Sequence, residues 1–125
     1  VFGAGTDSQV SIEIFGKRGV SGLLDLKPKD ALTEDDLPVK DPFENGQTDC
    51  FHVAIPDLGP LRKVRIGIDG KGWGAGWHLD SVTVLEVAAE KSYTFRCGKW
   101  LDKRKDGGFL SRLLDVNKED LVETP

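Results

Sequence analysis

Carboxylates are the side chains of this sequence that could do chemistry together. Asp7 follows a glycine-rich opening, VFGAGT, and the stretch KPKDALTEDDLPVKDPFENG carries Asp30, Glu34, Asp35, Asp36, Asp41 and Glu44. Calcium takes six to eight oxygens from carboxylates, backbone carbonyls and water, so a glycine loop that bares carbonyls beside acidic loops could hold it. The same residues also read as a solvated acidic surface. Catalytic groupings are thin by comparison: no G-x-S-x-G, H-E-x-x-H or phosphate-cradling glycine loop occurs, and the histidines are two, His52 and His78. His52 alternates with Phe51 and Val53 and is expected on a polar face; His78, between Trp77 and Leu79, could cap or pack a loop. No nucleophile, base and orienting group can be assembled from these.

The elements that must position these residues are strands. Period-two alternation recurs in QVSIEIF, GLLDL, CFHVAI, LRKVRIGI, SVTVLEV, SYTFRC and FLSRLLDV, with Leu85 and Val87 suggesting a slip of face or a bulge. Turn signals such as ENGQTD, PDLGP, DGKGWGAGW and KRKDGG separate them. Many short strands and almost no helical periodicity predict an all-β, antiparallel sandwich or barrel. The acidic stretch is a long loop, of the kind that tends to be functional. Residues 1–116 are expected to form the domain and 117–125 a charged tail or linker.

Bulk properties narrow the function classes. A chain of 125 residues is one domain, able to bury roughly two thirds of its unfolded surface. A net charge of −4 provides no basic excess for nucleic acid, and no apolar run approaches the ~20 residues that span a bilayer. Cys50 and Cys97 are read as two buried free thiols, with a single bridge as the alternative. Free thiols and the lack of a basic-then-apolar leader lean toward a cytoplasmic setting, peripheral at a membrane. Trp73 and Trp77 fall in the turn GKGWGAGW and Trp100 in CGKW; Trp77 is expected buried and Trp73 exposed, with Trp100 open.

Taken together, GAGTDSQVSIEIFG, FENGQTDCFHV, PDLGPLRKVRIGID, GWHLDSVTV and YTFRCGKWL strongly resemble the PLAT domain, also called the lipoxygenase-homology or LH2 domain, over about residues 2–104. The wording is nearest to tandem-repeat and polycystin-like members. The resemblance implies a β-sandwich of two four-stranded antiparallel sheets. It implies a noncatalytic module of a larger protein that docks to a membrane lipid surface with calcium, or to a partner protein. The second reading is a calcium-independent interaction adaptor. Calcium ligands implied are Gly3, Gly5, Thr6 and Asp7 in the first loop, Asp41 and Glu44 in the second, and carbonyls near Gly74 and Ala75 in the third. Gly3, and Ala75 or Gly74, stand where members that bind several ions carry acids, which implies weak affinity, roughly 10⁻⁵ to 10⁻³ M. The implied membrane contacts are Phe2, Trp73 and Trp100. Lipoxygenase catalysis relies on several iron-ligating histidines in a separate domain, so the resemblance implies no enzyme here. Members carry a strand before the GAGTD stretch; FLSRLLDV, or a neighbouring molecule's strand, is expected to fill its place, since an open edge would invite pairing between chains. Asp80 is expected to accept backbone hydrogen bonds in its loop, and Asp49 to fix the turn into a strand.

Overall fold

The computed structural model describes residues 8–44, 46–71 and 76–122. Among the described residues six antiparallel strands form: β1 (Val10–Gly16), β2 (Gly19–Leu26), β3 (Leu61–Ile68), β4 (Trp77–Glu86), β5 (Lys91–Leu101) and β6 (Ser111–Asp115). One sheet has the order β2-β1-β3-β6, and the other is the β4-β5 hairpin. Apart from two single-turn 3₁₀ segments, Pro28–Asp30 and Lys118–Asp120, no helix is present among the described residues, and none is long and apolar enough to cross a membrane.

Alternation explains the core. Val10, Ile12 and Ile14 of β1 and Val64, Ile66 and Ile68 of β3 turn to one face, where they meet Tyr93 and Phe95 of β5 and Leu114 of β6. The inner faces of both sheets thus share a single apolar layer, the arrangement expected of a sandwich. FLSRLLDV supplies β6, which completes the four-stranded sheet at the edge of β3 with Val64 opposite Leu114.

Three expectations are corrected. The second sheet has two described strands rather than four, because CFHVAI does not pair: its single bridge joins Cys50 to Leu32. Phe51 and Ile55 still pack on the core, whereas Val53 is exposed; among the described residues no strand pairs with the run to make a ladder. The irregularity in β4 falls at Asp80, between Leu79 and Ser81, and not at Leu85. There the inward set changes from Trp77 and Leu79 to Val82 and Val84, leaving Leu85 and Val87 exposed. Gly98 (φ +64°) accommodates the bend on the facing strand in a conformation that favours glycine. Asp80 accordingly sits on a strand with its side chain 88% exposed, 3.5 Å from His78 Nδ1, and receives no backbone bond from any described residue.

Both cysteines are free thiols, half-buried rather than fully buried. Burial pushes each thiol up, helped at Cys50 by the charges of Glu34, Asp36 and Asp49. Residues 117–122 run against β5: Asn117 N–H donates to the Thr94 carbonyl at 2.8 Å, Thr94 N–H donates to Asp120 Oδ2 at 2.9 Å, and Val122 touches the core.

Candidate functional site: a loop cluster at one end of the sandwich

Trp77 organises this end. It opens β4, is 8% exposed, and pairs with Leu101 at the end of β5. The Phe43 ring meets it edge-on at 5.5 Å and stacks on Phe51 at 5.7 Å. Such pairs contribute about 0.5–1.5 kcal/mol each beyond their burial. They anchor the turn holding Asp41 and Glu44 beside the start of β4.

Asp49 shapes that turn. Its Oδ2 accepts the Phe43 N–H at 2.7 Å and its Oδ1 accepts Gln47 Nε2–H at 2.6 Å, while Gln47 also donates to the Asp41 carbonyl at 2.9 Å. Phe43 is thereby held at φ +63°, a conformation uncommon for a bulky residue. The expectation that Asp49 fixes this turn agrees with the geometry.

Two further loops join the same end. Asp69, just after β3, accepts N–H bonds from Gln9 and Lys71 on Oδ1, at 3.2 and 3.0 Å. Ser8 Oγ donates to the Lys71 carbonyl at 3.1 Å, and Asp69 N–H donates to the Gln9 carbonyl at 3.1 Å. The chain leaving the first loop is therefore tied to the chain entering the third. The Lys71 and Gln9 donors hold the Asp69 carboxyl below the usual carboxylate range. Asp102 lies against Gly76, close enough that a Cβ there would run into its carboxylate, and Leu110 and Lys103 lie against Gly70.

Trp100 stands beside this group, half-buried. Its ring has the His78 ring edge-on at 5.4 Å and Lys105 Nζ over its face at 3.7 Å. Arg112 donates from Nε and Nη2 to the Trp100 carbonyl at 3.2 and 3.0 Å, and the Trp100 N–H donates to Asp106 Oδ2 at 2.8 Å.

Of the residues expected to hold calcium, Asp41 and Glu44 are described, on one turn; Gly3, Gly5, Thr6, Asp7, Gly74 and Ala75 lie outside the described residues, as do Phe2 and Trp73. Among the described residues no three His, Cys, Asp or Glu side chains gather to hold a metal. Both oxygens of Asp49 and Oδ1 of Asp69 accept from N–H donors, so the described carboxylates alone do not make up the six to eight oxygens that calcium takes. Asp36 is engaged with a histidine: its Oδ1 lies 3.0 Å from His52 Nε2, both side chains exposed as expected for His52. Sequence reasoning passed over Asp69. Its signal is the I-D-G-K turn, where an aspartate two residues before a free N–H forms an Asx-type bond.

The family model for the PLAT/LH2 domain matches residues 1–114. The chain belongs to the PLAT/LH2 family. This PLAT domain is 38% identical over 110 residues to lipoxygenase homology domain-containing protein 1 of Homo sapiens, covering 88% of this chain and 5% of that protein. Human polycystin-1 is 28% identical over 113 residues, 88% of this chain and 2% of that protein. The PLAT domain thus spans a small fraction of the curated relatives it matches. In fold it is similar to coral 8R-lipoxygenase, with a TM-score of 0.68 at 22% identity, over 91% of this chain and 15% of that one. That structure is described as showing calcium activation via a C2-like domain.

Proposed function

We propose that this PLAT domain is a noncatalytic docking module of a larger protein, binding an anionic membrane surface with calcium held at the loop end. The supporting observation is the convergence, around Trp77 and Asp69, of the segments bordering all three loops implied as calcium ligands. In this reading Asp7, Asp41 and Glu44 supply charge, and carbonyls of Gly3, Gly5, Gly74 and Ala75, with Thr6, complete the oxygen set. Phe2, Trp73 and Trp100 are the lipid contacts. Burying one such ring contributes about 1.5–3 kcal/mol, so two or three suffice for reversible docking. Calcium cancels the repulsion between the loop carboxylates and acidic headgroups. The calcium activation described for the coral lipoxygenase is consistent with this.

Co-sedimentation with phosphatidylserine-containing vesicles tests the reading: the protein should pellet in millimolar calcium and return to the supernatant with chelator. No pelleting, with no calcium heat by calorimetry, overturns it. The second reading, a calcium-independent protein adaptor, is favoured by Asp49 and Asp69 already being engaged with N–H donors. It expects Asp7→Asn and Asp41→Asn to leave partner binding unchanged.

A further inference from the structure

The edges of β5 and β6 face one another across a groove of about 550 Å³. Arg65, Arg96, Lys99 and Arg112 line it, with an apolar wall that includes Cys97, Phe109 and Leu113, and no carboxylate among the lining residues. This concentration of cations stands on a chain of net charge −4. Arg65, Arg96 and Lys99 make no ion pair with any described residue, and Phe109 and Leu113 are 57% and 47% exposed.

The backbone of β6 adds a second kind of complementarity. Ile68 N–H donates to the Leu110 carbonyl and Val116 N–H to the Arg62 carbonyl, at 2.9 and 3.0 Å. With Ile66 opposite Arg112 and Val64 opposite Leu114, residues 110, 112, 114 and 116 exchange bonds with β3. By alternation the N–H and C=O groups of Ser111, Leu113 and Asp115 point away from the sheet, and no described group hydrogen-bonds to them. On β5 the corresponding positions are covered at Thr94, by Asn117 and Asp120, and at Trp100, by Asp106 and Arg112. The open ladder is therefore that of β6.

We propose that this groove binds an extended acidic polypeptide segment, which adds as a strand to the edge of β6. Backbone bonds to Ser111 and Leu113 supply the register, carboxylates meet Arg65, Arg96 and Lys99, and alternate apolar side chains rest on Phe109 and Leu113. A ladder of alternating donors and acceptors is matched by a polypeptide backbone and not by a lipid headgroup, which selects a peptide over a membrane for this face. The groove adjoins Trp100 through Arg112, yet it involves none of the residues read as calcium ligands and does not depend on the calcium reading.

The test uses the whole chain and a fluorescein-labelled nine-residue peptide alternating glutamate and valine, followed by fluorescence anisotropy. Binding is expected, weakened about tenfold or more by Arg96→Glu with Lys99→Glu, and likewise by Arg65→Glu alone. N-methylation of alternate peptide amides, which keeps the charge and removes ladder donors, should weaken binding to the unaltered protein about tenfold as well. Bound peptide should also slow alkylation of Cys97. Equal binding of the N-methylated peptide, equal binding of a version with lysine for glutamate, or groove-dependent binding of phosphatidylserine vesicles with none of the peptide would each overturn the proposal.

Discussion

Asp69 and Gln9 stand sixty residues apart and share a hydrogen bond, the Gln9 N–H donating to Asp69 Oδ1 at 3.2 Å. Lys71 N–H donates to the same oxygen, and these donors, Lys71 foremost, depress the carboxyl pKa. A carboxylate depressed in the folded state contributes stability above its unfolded-state value of about 3.9, and that contribution is lost as pH falls through the folded value. Asparagine keeps the acceptor oxygen without the charge. Thermal unfolding of Asp69→Asn should therefore lie below that of the parent near neutral pH, with the gap closing in strong acid. A gap of constant size across the titration would assign the effect to packing instead of charge.

Asp49 and Asp41 separate structure from ligand binding within one turn. Asp49→Ala removes the acceptor for the Phe43 N–H and should cost about 1–3 kcal/mol in urea unfolding. Asp41 is exposed and accepts from Gln47 through its backbone carbonyl, so Asp41→Ala should stay within about 0.5 kcal/mol. Under the proposed function, that variant should nonetheless lose much of the melting-temperature rise produced by calcium.

Gly16 ends β1 with its Cα against the Leu58 backbone, where a Cβ would collide with the carbonyl. Backbone cannot swing aside as a side-chain tip can. Gly16→Ala should destabilise by about 1–3 kcal/mol in the same assay, and a neutral result would mean that the Leu58 segment yields.

What the sequence makes legible here is periodic. Val10, Ile12 and Ile14, or Val64, Ile66 and Ile68, declare a buried face whatever lies opposite, so their strands can be read directly. Phe51, Val53 and Ile55 show the same period, yet pairing depends on a neighbouring strand, and alternation carries no information about that. The register shift at Asp80 is hidden in the sequence because Val82 and Val84 look like a continuous run until Trp77 and Leu79 are seen inward on the other parity. At the loop end, Asp41 and Glu44 were found by their chemistry and the resemblance. Asp69 was missed because an aspartate before glycine reads as an ordinary turn residue, and only folding brings Gln9 to it.

Cys97 offers a reactivity test. Burial raises its thiol pKa, outweighing the backbone hydrogen bond at Lys99 and the Arg112 and Lys99 charges, which pull it down; burial raises Cys50 as well. At mildly alkaline pH the thiolate fraction in the folded protein should be below that of free cysteine, and it should rise with further alkali. Reaction with a disulfide dye should be slow for both cysteines when folded and accelerate in denaturant; free-cysteine rates in the folded protein would contradict this placement.

The Asn117–Asp120 turn bonds to both backbone groups of Thr94, and Lys91 Nζ stands 3.9 Å from Asp120 Oδ1. A two-stranded sheet is short of neighbours, and an uncovered rim is where chains stack into fibres. These few charged residues act as a cover on that rim: a chain cut before Asn117 would leave Thr94 open as a template for a second molecule, exchanging a monodisperse protein for one prone to aggregate.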